Sequence, residues 1–327
     1  MKFIHFGCWN NGFCNKKTQS NGLSYTMKLI DDYMTVSPVD FISIAGDNYY
    51  PEKKYGNKKM HIKDLISGFE CLPKIVDKYI IFGNHDIEDI IEAEKCTALL
   101  LQQKDYSKGT YKLFNDIINL IIDNNLIIMI DTTIYNIDIE TKVADTCYKY
   151  LFSGLIFDKI KDIITYQNEK ILYLIKTNIS VDNVIIIGHH PIMTNRQKIG
   201  VIITINDGLI NLFKSLKDVK NIYYLCADTH FYQYSQITID DLLIHQYICG
   251  TGGAKPDFLA PISSQNINKM FFDVIEQKSA NGFIIVESKD KKINIKFVDN
   301  EKDFLQKYLK YKSKYLNLYK SKLLLKN

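Results

Sequence analysis

Residues 40–50 read Asp40-Phe41-Ile42-Ser43-Ile44-Ala45-Gly46-Asp47-Asn48-Tyr49-Tyr50: a short apolar, β-branched run that stops at glycine and opens into an acid, an amide and two phenols. A run of this length with polar or glycine punctuation predicts a strand. The pattern recurs. Runs at Lys2–Phe6, Lys78–Phe82, Val184–Ile187 and Ile222–Cys226 lead into Gly7-Cys8-Trp9-Asn10, Gly83-Asn84-His85-Asp86, Gly188-His189-His190-Pro191 and Ala227-Asp228-Thr229-His230. A further run, Leu126–Ile130, ends in Asp131-Thr132. Segments with apolar residues at three-to-four spacing lie between them, at Leu23–Met34, Ile87–Gln103, Tyr150–Ile164 and Leu209–Leu216, and predict helices.

Strands alternating with helices predict a layered α/β sheet. In the C-terminal third, Leu242–Ile248, Gly282–Glu287 and Lys292–Val298 read as strands without a convincing helix between them, which suggests an antiparallel edge or a second sheet. The expected fold is therefore α/β, with two mixed sheets and helices outside, in one continuous domain over residues 1–299. No internal repeat is visible. In α/β sheets the ligand crevice lies beyond the carboxyl ends of the strands, so the five polar motifs can converge on one site.

The chain has 327 residues, 46% apolar and 24% charged, which excludes a disordered tail or a disulfide-stapled miniprotein. Its net charge of +4 is too small to argue for nucleic acid or a membrane. Arg196 is the only arginine, which nearly excludes bidentate arginine clamps on phosphate. Together with abundant Ile, Asn and Tyr, it reads as the composition of an AT-rich genome. The seven cysteines (Cys8, Cys14, Cys71, Cys96, Cys147, Cys226 and Cys249) are odd in number and form no CxxC pair, which argues against a disulfide framework or zinc ribbon and for a reducing compartment. No export signal precedes the first strand, and the most apolar stretch, Ile117 to Ile130, is broken by Asp123, Asn124 and Asn125. A soluble, intracellular protein without a transmembrane segment is expected.

The side chains gathered by the five motifs are a thiol, aspartates, an asparagine, a tyrosine and histidines, an inventory of metal donors. No GxxxxGK[ST] or GxGxxG loop occurs, and no Ser-His-Asp set accounts for all five motifs. More than four donors suit two ions better than one. Two ions about 3.5 to 4 Å apart suit displacement at phosphorus, where they bind substrate oxygen and acidify a bound water to make the nucleophile.

From Lys2 to about Asp299 the sequence resembles the calcineurin-like metallophosphoesterases, and among them the purple (tartrate-resistant) acid phosphatases. That subgroup carries GDWG, GDNFY, GNHD, GHYP and GHDH; this chain carries GCWN, GDNYY, GNHD, GHHP and ADTH in the same order. Weaker echoes are Ile130-Asp131-Thr132, Gly250-Thr251-Gly252-Gly253 and Gly282-Phe283. The resemblance implies a four-layer α-β-β-α sandwich. It also implies a dinuclear centre of divalent or trivalent ions, iron with Fe, Zn or Mn, that hydrolyses phosphate monoesters through metal-bound hydroxide. Asp47 matches the bridging aspartate, Tyr50 the iron-binding tyrosine, Asn84 and His189 ligands of the second metal, and His230 a ligand of the first. His85 matches the unligated histidine that helps the leaving group depart.

Two positions depart from the pattern. Cys8 stands where the family has an aspartate on the first metal, and Asp228 where it has a histidine on the second. Both can coordinate: a cysteine beside a cation deprotonates and favours softer ions such as zinc or iron, and Asp228 adds a negative charge that makes the nucleophile harder to generate. The expected sets are Cys8, Asp47, Tyr50 and His230 on one ion, and Asp47, Asn84, His189 and Asp228 on the other. Ungapped counting places Lys198, near Arg196, where the subgroup has a substrate-assisting histidine. Either cation can hold phosphate, as can Asn84, although solvated loop charges are the blander reading of Arg196 and Lys198. His190 reads as a pocket wall touching substrate, Trp9 as packing, and His5, His61 and His245 as ordinary strand or surface histidines.

From Leu305 to Asn327 there are seven lysines and no acid, interleaved with Tyr and Leu, with Tyr308, Tyr311, Tyr315 and Leu318 on one helical face. This segment, set apart as a helical tail over residues 300–327, holds the entire basic excess. It either docks on the body or meets anionic lipid, nucleic acid or an oligomer partner. It also resembles tails on proteins of large DNA viruses, which would place the chain in host cytoplasm or virion. Three functions stay open: a phosphatase acting on a phosphorylated small molecule or phosphoprotein, a weakened phosphatase-like binding protein, and a phosphodiesterase acting on nucleotides or nucleic acid.

Overall fold

The computed structural model describes residues 1–299 apart from 51, 55–56, 60–61, 88–95, 107–108, 137–146, 149–151, 153–156, 158, 199 and 220. Its strands are β1 (Lys2–Phe6), β2 (Phe41–Ala45), β3 (Glu52–Lys54), β4 (Asn57–Lys59), β5 (Asp77–Ile81), β6 (Tyr111–Leu113), β7 (Ile118–Ile122), β8 (Asn125–Met129) and β9 (Asn183–Ile187). They continue with β10 (Met193–Lys198), β11 (Gly200–Ile205), β12 (Ile222–Cys226), β13 (Tyr232–Ile239), β14 (Leu242–Cys249), β15 (Ser264–Ile267), β16 (Met270–Lys278), β17 (Phe283–Lys289) and β18 (Lys292–Val298). The helices are α1 (Gly22–Val36), α2 (Ile62–Cys71), α3 (Asn84–Ile87), α4 (Thr97–Tyr106), α5 (Ile160–Thr177) and α6 (Asp207–Lys214).

Two mixed sheets form the frame. A six-stranded sheet runs β18-β17-β1-β2-β5-β6, and an eight-stranded sheet runs β15-β16-β13-β14-β12-β9-β8-β7. In the first, β1, β2, β5 and β6 are mutually parallel; in the second, β8, β9, β12 and β14 are. Parallel neighbours deliver their following loops to the same end of a sheet, which brings the five motifs together. The alternation of strand faces sets the layers. Ile185 and Ile187 of β9 join the cluster that includes Phe3, Ile42 and Leu225, whereas Val184 and Ile186 join the one that includes Leu209 and Phe213 of α6.

Local chemistry explains most elements. α1 starts where Asn21 Oδ1 accepts the Ser24 amide at 2.8 Å, and it buries Leu23, Met27, Ile30 and Met34 at helical spacing. The break at Asp123-Asn124 is a hairpin turn between β7 and β8, with both residues at positive φ, +47° and +61°. Asp and Asn tolerate that conformation best among non-glycine residues.

Three expectations change. Of the helix expected over Tyr150–Ile164, residues 150–151, 153–156 and 158 lie outside the described set and Ile160–Ile164 open α5, which runs on to Thr177; there Gln167 turns inward to bond the Asp131 backbone on both sides and so disguises the buried stripe. The helix expected over Ile87–Gln103 is represented by α3 and α4, with residues 88–95 outside the described set. The C-terminal strands divide between the sheets: β17 and β18 extend the first beside β1, while β13, β14, β15 and β16 build the second. The tail over 300–327 and His61 lie outside the described residues. No described helix is long and apolar enough to cross a membrane.

The cysteine reading also requires correction. Cys14 pairs with Cys71 and Cys96 with Cys147, and Cys8, Cys226 and Cys249 are free and buried. The bridges close separations of 57 and 51 residues, so only the folded topology brings the partners together, and the argument for a reducing compartment loses its premise. Closing a loop this long removes about 4 kcal/mol of unfolded-state entropy in the chain-entropy account. A Cys14→Ser/Cys71→Ser protein is expected to lose stability of that order in denaturant unfolding without reductant. An unchanged midpoint and slope would show that the bridge contributes nothing.

Candidate metal centre

Each sheet supplies half of the site. Cys8, Asp47, Tyr50, Asn84 and His85 follow β1, β2 and β5 of the six-stranded sheet; His189, His190, Asp228 and His230 follow β9 and β12 of the eight-stranded one. Three of these residues leave their strands in the left-handed region: Cys8 at φ +51°, Asp47 at +52° and Asp228 at +60°. Such a conformation costs on the order of 1–3 kcal/mol for a non-glycine residue and persists only where the surroundings hold it.

Asp47 is the centre of the arrangement. Its Oδ1 accepts the His85 amide at 3.1 Å and lies 3.3 Å from His189 Nε2, while its Oδ2 accepts the Tyr50 hydroxyl at 2.8 Å and lies 3.6 Å from Cys8 Sγ. Tyr50 Oη is also 3.2 Å from His230 Nε2, and Asn84 Oδ1 is 3.1 Å from His189 Nε2. The two oxygens of one carboxylate thus face two donor groups. Two sets, Cys8 with Asp47 and His189, and His189 with His190 and Asp228, each place their ligand atoms within 4.8 Å of one another.

The histidine rings are oriented by main-chain carbonyls. His189 Nδ1 donates to Ala45 O at 2.6 Å, and His230 Nδ1 donates to Lys255 O at 3.1 Å. A carbonyl can only accept, so in the neutral rings both Nε2 lone pairs point into the site. This is the outer-shell arrangement of metal-ligating histidines. Asp47 Oδ1, Asn84 Oδ1 and His189 Nε2 then converge as acceptors, and a cation or a proton must reconcile them. The residues fit a cation.

The electrostatics agree. Burial pushes the Asp47 carboxyl up, but His189 and His85 outweigh this and hold it below the usual carboxylate range. Burial lowers His189, and the Asp47 and Asp228 carboxylates more than reverse the effect, so its pKa is raised. Burial and the Asp47 charge push the Cys8 thiol and the Tyr50 phenol well up. A cation beside them supplies the positive charge that their anions lack.

The remaining expected residues divide. His85 lies against the Tyr50 ring with centroids 4.8 Å apart, and burial lowers its pKa. His190 is buried at the same end, its pKa lowered to about 4 by burial and by His189. Arg196 is not a solvated loop charge. It sits on β10, and its Nη2 donates to Asp257 Oδ2 at 2.9 Å. Lys198 ends the same strand, and its side chain lies outside the described set. Trp9 packs edge-on to Phe69 and donates to Asn48, as a packing residue should. His5 is buried between the sheets, bonded to Ser43 Oγ and near Cys226 O, and His245 lies on β14.

Some supporting residues carried no assigned role in the sequence. Asp86, in the GNHD motif, accepts from the Gly83 and Asn48 amides and from Gln102, fixing the turn that carries Asn84 and His85; burial pushes its pKa up to about 7. Asp257 accepts the His230 amide as well as Arg196, and Thr132 binds the His189-His190 turn. Thr132 was within reach of sequence reasoning, because it ends a strand like the motif residues do.

A sequence search of curated proteins finds no match. Among solved structures the fold is similar to GAP50, the anchor in the inner membrane complex of Plasmodium, at 17% identity and a TM-score of 0.56, covering 92% of this chain and 85% of that one. It is also similar to purple acid phosphatase PPD1 from yellow lupin (Lupinus luteus) seeds, at 13% identity and a TM-score of 0.59, covering 91% of this chain and 51% of that one. PhoD aligns with a TM-score of 0.53 and 10% identity over 91% of this chain and 68% of its own. At such identities the likeness is one of fold. A sequence profile described as calcineurin-like phosphoesterase matches residues 1–232, well over half of the chain. That match agrees with the ordered motifs and the two-sheet frame, and the chain belongs to the calcineurin-like phosphoesterase family.

Proposed function

We propose that the chain is a metal-dependent phosphoesterase that hydrolyses phosphate monoesters at a centre for two cations. The observation that carries this reading is the division of Asp47, with one oxygen toward His189 and the other toward Tyr50 and Cys8. Cys8, Asp47, Tyr50 and His230 would hold one ion; Asp47, Asn84, His189 and Asp228 the other. Iron with Fe, Zn or Mn suits a phenolate, thiolate, imidazole and carboxylate set. Bound there, such ions supply Lewis-acid charge to ester oxygens and acidify water. The chain's own work is to orient the donors through Ala45 O and Lys255 O, and to deliver a proton to the leaving oxygen from His85. Substrates in this reading are phosphorylated small molecules or phosphoproteins.

The test measures metal content by mass spectrometry and compares hydrolysis of an aryl phosphate monoester with that of the diester on the full chain. Two ions per chain and preference for the monoester are expected. His85→Ala should lower kcat by about 10²–10⁴-fold, the range of general acid–base contributions, with metal content unchanged. Less than one ion per chain and rates equal to background would discard the reading, and faster diester hydrolysis would replace the monoester by nucleotides or nucleic acid.

Cys8 and Asp228 favour a second reading, a phosphate-binding protein without turnover; the fold itself serves both a phosphatase and an anchor among its structural neighbours. In that case Cys8→Asp with Asp228→His creates activity absent from the parent. Aspartate also tolerates the left-handed backbone at position 8 better than cysteine. Efficient turnover by the parent eliminates this reading.

A further inference from the structure

His189 and His190 adjoin in sequence and are both buried, yet their hydrogen bonds give them opposite chemistry. His189 spends its Nδ1 proton on Ala45 O and turns the Nε2 lone pair toward Asn84 and Asp47. His190 Nδ1 instead meets Thr132 Oγ1 at 3.1 Å. That hydroxyl oxygen already accepts the backbone amides of His189 and His190, each at 2.9 Å. A hydroxyl has two lone pairs and one proton. Both lone pairs are in use, so only its proton is left to offer, to the neighbouring Tyr224 hydroxyl oxygen or to His190 Nδ1, and in neither case does the oxygen have a lone pair free for a proton on Nδ1. A protonated Nδ1 would be a third donor aimed at a filled oxygen. In the neutral ring the proton therefore sits on Nε2. Tyr224 donates to His190 O and holds the main chain in place.

The consequence is a change of role. A neutral imidazole whose bare Nδ1 faces Thr132 and whose Nε2 carries hydrogen has no lone pair to give a cation, even though His190 clusters with His189 and Asp228. It has an N–H donor instead. Arg196, the one arginine of the chain, is engaged by Asp257, whereas this N–H belongs to a buried ring clustered with His189 and Asp228.

We propose that His190 is not a metal ligand but a hydrogen-bond donor, through Nε2–H, to an oxygen of a bound phosphoryl group, and that Thr132 is the positioning residue that sets its tautomer. The ligand in this proposal rests on the phosphoesterase reading; the tautomer does not.

Long-range ¹⁵N correlation spectra of the zinc-loaded full chain, labelled at histidine, read the tautomers directly. His190 is expected as Nε2–H, and His189 and His230 as Nδ1–H. Thr132→Ser should retain the His190 pattern, whereas Thr132→Val should lose it. Calorimetry with inorganic phosphate should show about tenfold weaker binding in His190→Ala, the loss of roughly one hydrogen bond to a charged group, at unchanged zinc stoichiometry. His190→Gln, which keeps an N–H, should recover part of the affinity. Loss of zinc from His190→Ala, unchanged phosphate affinity, or an Nδ1–H signal for His190 would each overturn the proposal. If the wild-type chain takes up neither zinc, iron nor manganese, the phosphoesterase reading fails by itself, and the tautomer spectra of the metal-free protein decide whether His190 is a donor.

Discussion

Asp47→Asn is expected to abolish the centre: metal content falls below one ion per chain, and monoester hydrolysis drops by at least about 10³-fold. The size follows from the several kcal/mol of charge stabilisation that a cation contributes to phosphoryl transfer, at 1.36 kcal/mol per factor of ten. Asparagine is the informative replacement because it tolerates the φ of +52° that position 47 requires. The chain trace is therefore kept while the charge is removed. The amide also places an N–H₂ group where an oxygen now faces either Tyr50 and Cys8 or His189, so one donor set loses its shared acceptor whichever way it turns. Mass spectrometry for metals and an aryl phosphate assay decide it. A variant that retained two ions and wild-type turnover would show that the carboxylate is structural.

Gly83→Ala is expected to do comparable damage from a position with no ligand atom. A Cβ there would stand 2.3 Å from Asp47 Oδ1, 2.5 Å from Asp47 N and 2.7 Å from His189 Cε1. None of these can yield cheaply, because the amide is main chain and the other two belong to the centre. Overpacking of this kind costs about 1–3 kcal/mol and displaces what it touches. Stability, metal content and activity should fall together. Gly109→Ala is the control: its φ is +69°, but nothing lies within 4 Å, so only backbone strain is introduced and the centre should be unaffected. Full metal loading by the Gly83→Ala protein would mean that the turns have more room than their packing indicates.

How far the sequence could be read depended on the physics involved. The motif strands were legible because each is a short apolar run ended by a small residue, and parallel neighbours align their ends without further instruction. The hairpin β10–β11, which carries Arg196, was not legible, since Met193-Thr194-Asn195-Arg196-Gln197-Lys198 lacks an apolar alternation. Reading those residues as a loop left Arg196 solvated, whereas its partner Asp257 lies 61 positions away. The inward-facing Gln167 hid α5 for a related reason: a buried polar residue breaks the stripe, and its compensation by Asp131 appears only in three dimensions. The disulfides were masked by an odd count and long separations. Residue types at motif positions announced a donor inventory, but the direction of each imidazole depends on carbonyls and hydroxyls in other loops, such as Ala45 O and Thr132 Oγ1.

The division of the donors between two sheets ties binding to folding. Cys8, Asp47, Tyr50 and Asn84 travel with one layer and His189, Asp228 and His230 with the other, so an ion held by both, as proposed above, would act as a rivet through the sandwich. Any slippage of one layer over the other stretches the coordination shell, and any occupant of that shell resists the slippage. The seam between the layers should therefore tighten by RT ln(1 + [L]/Kd) as the ion concentration rises.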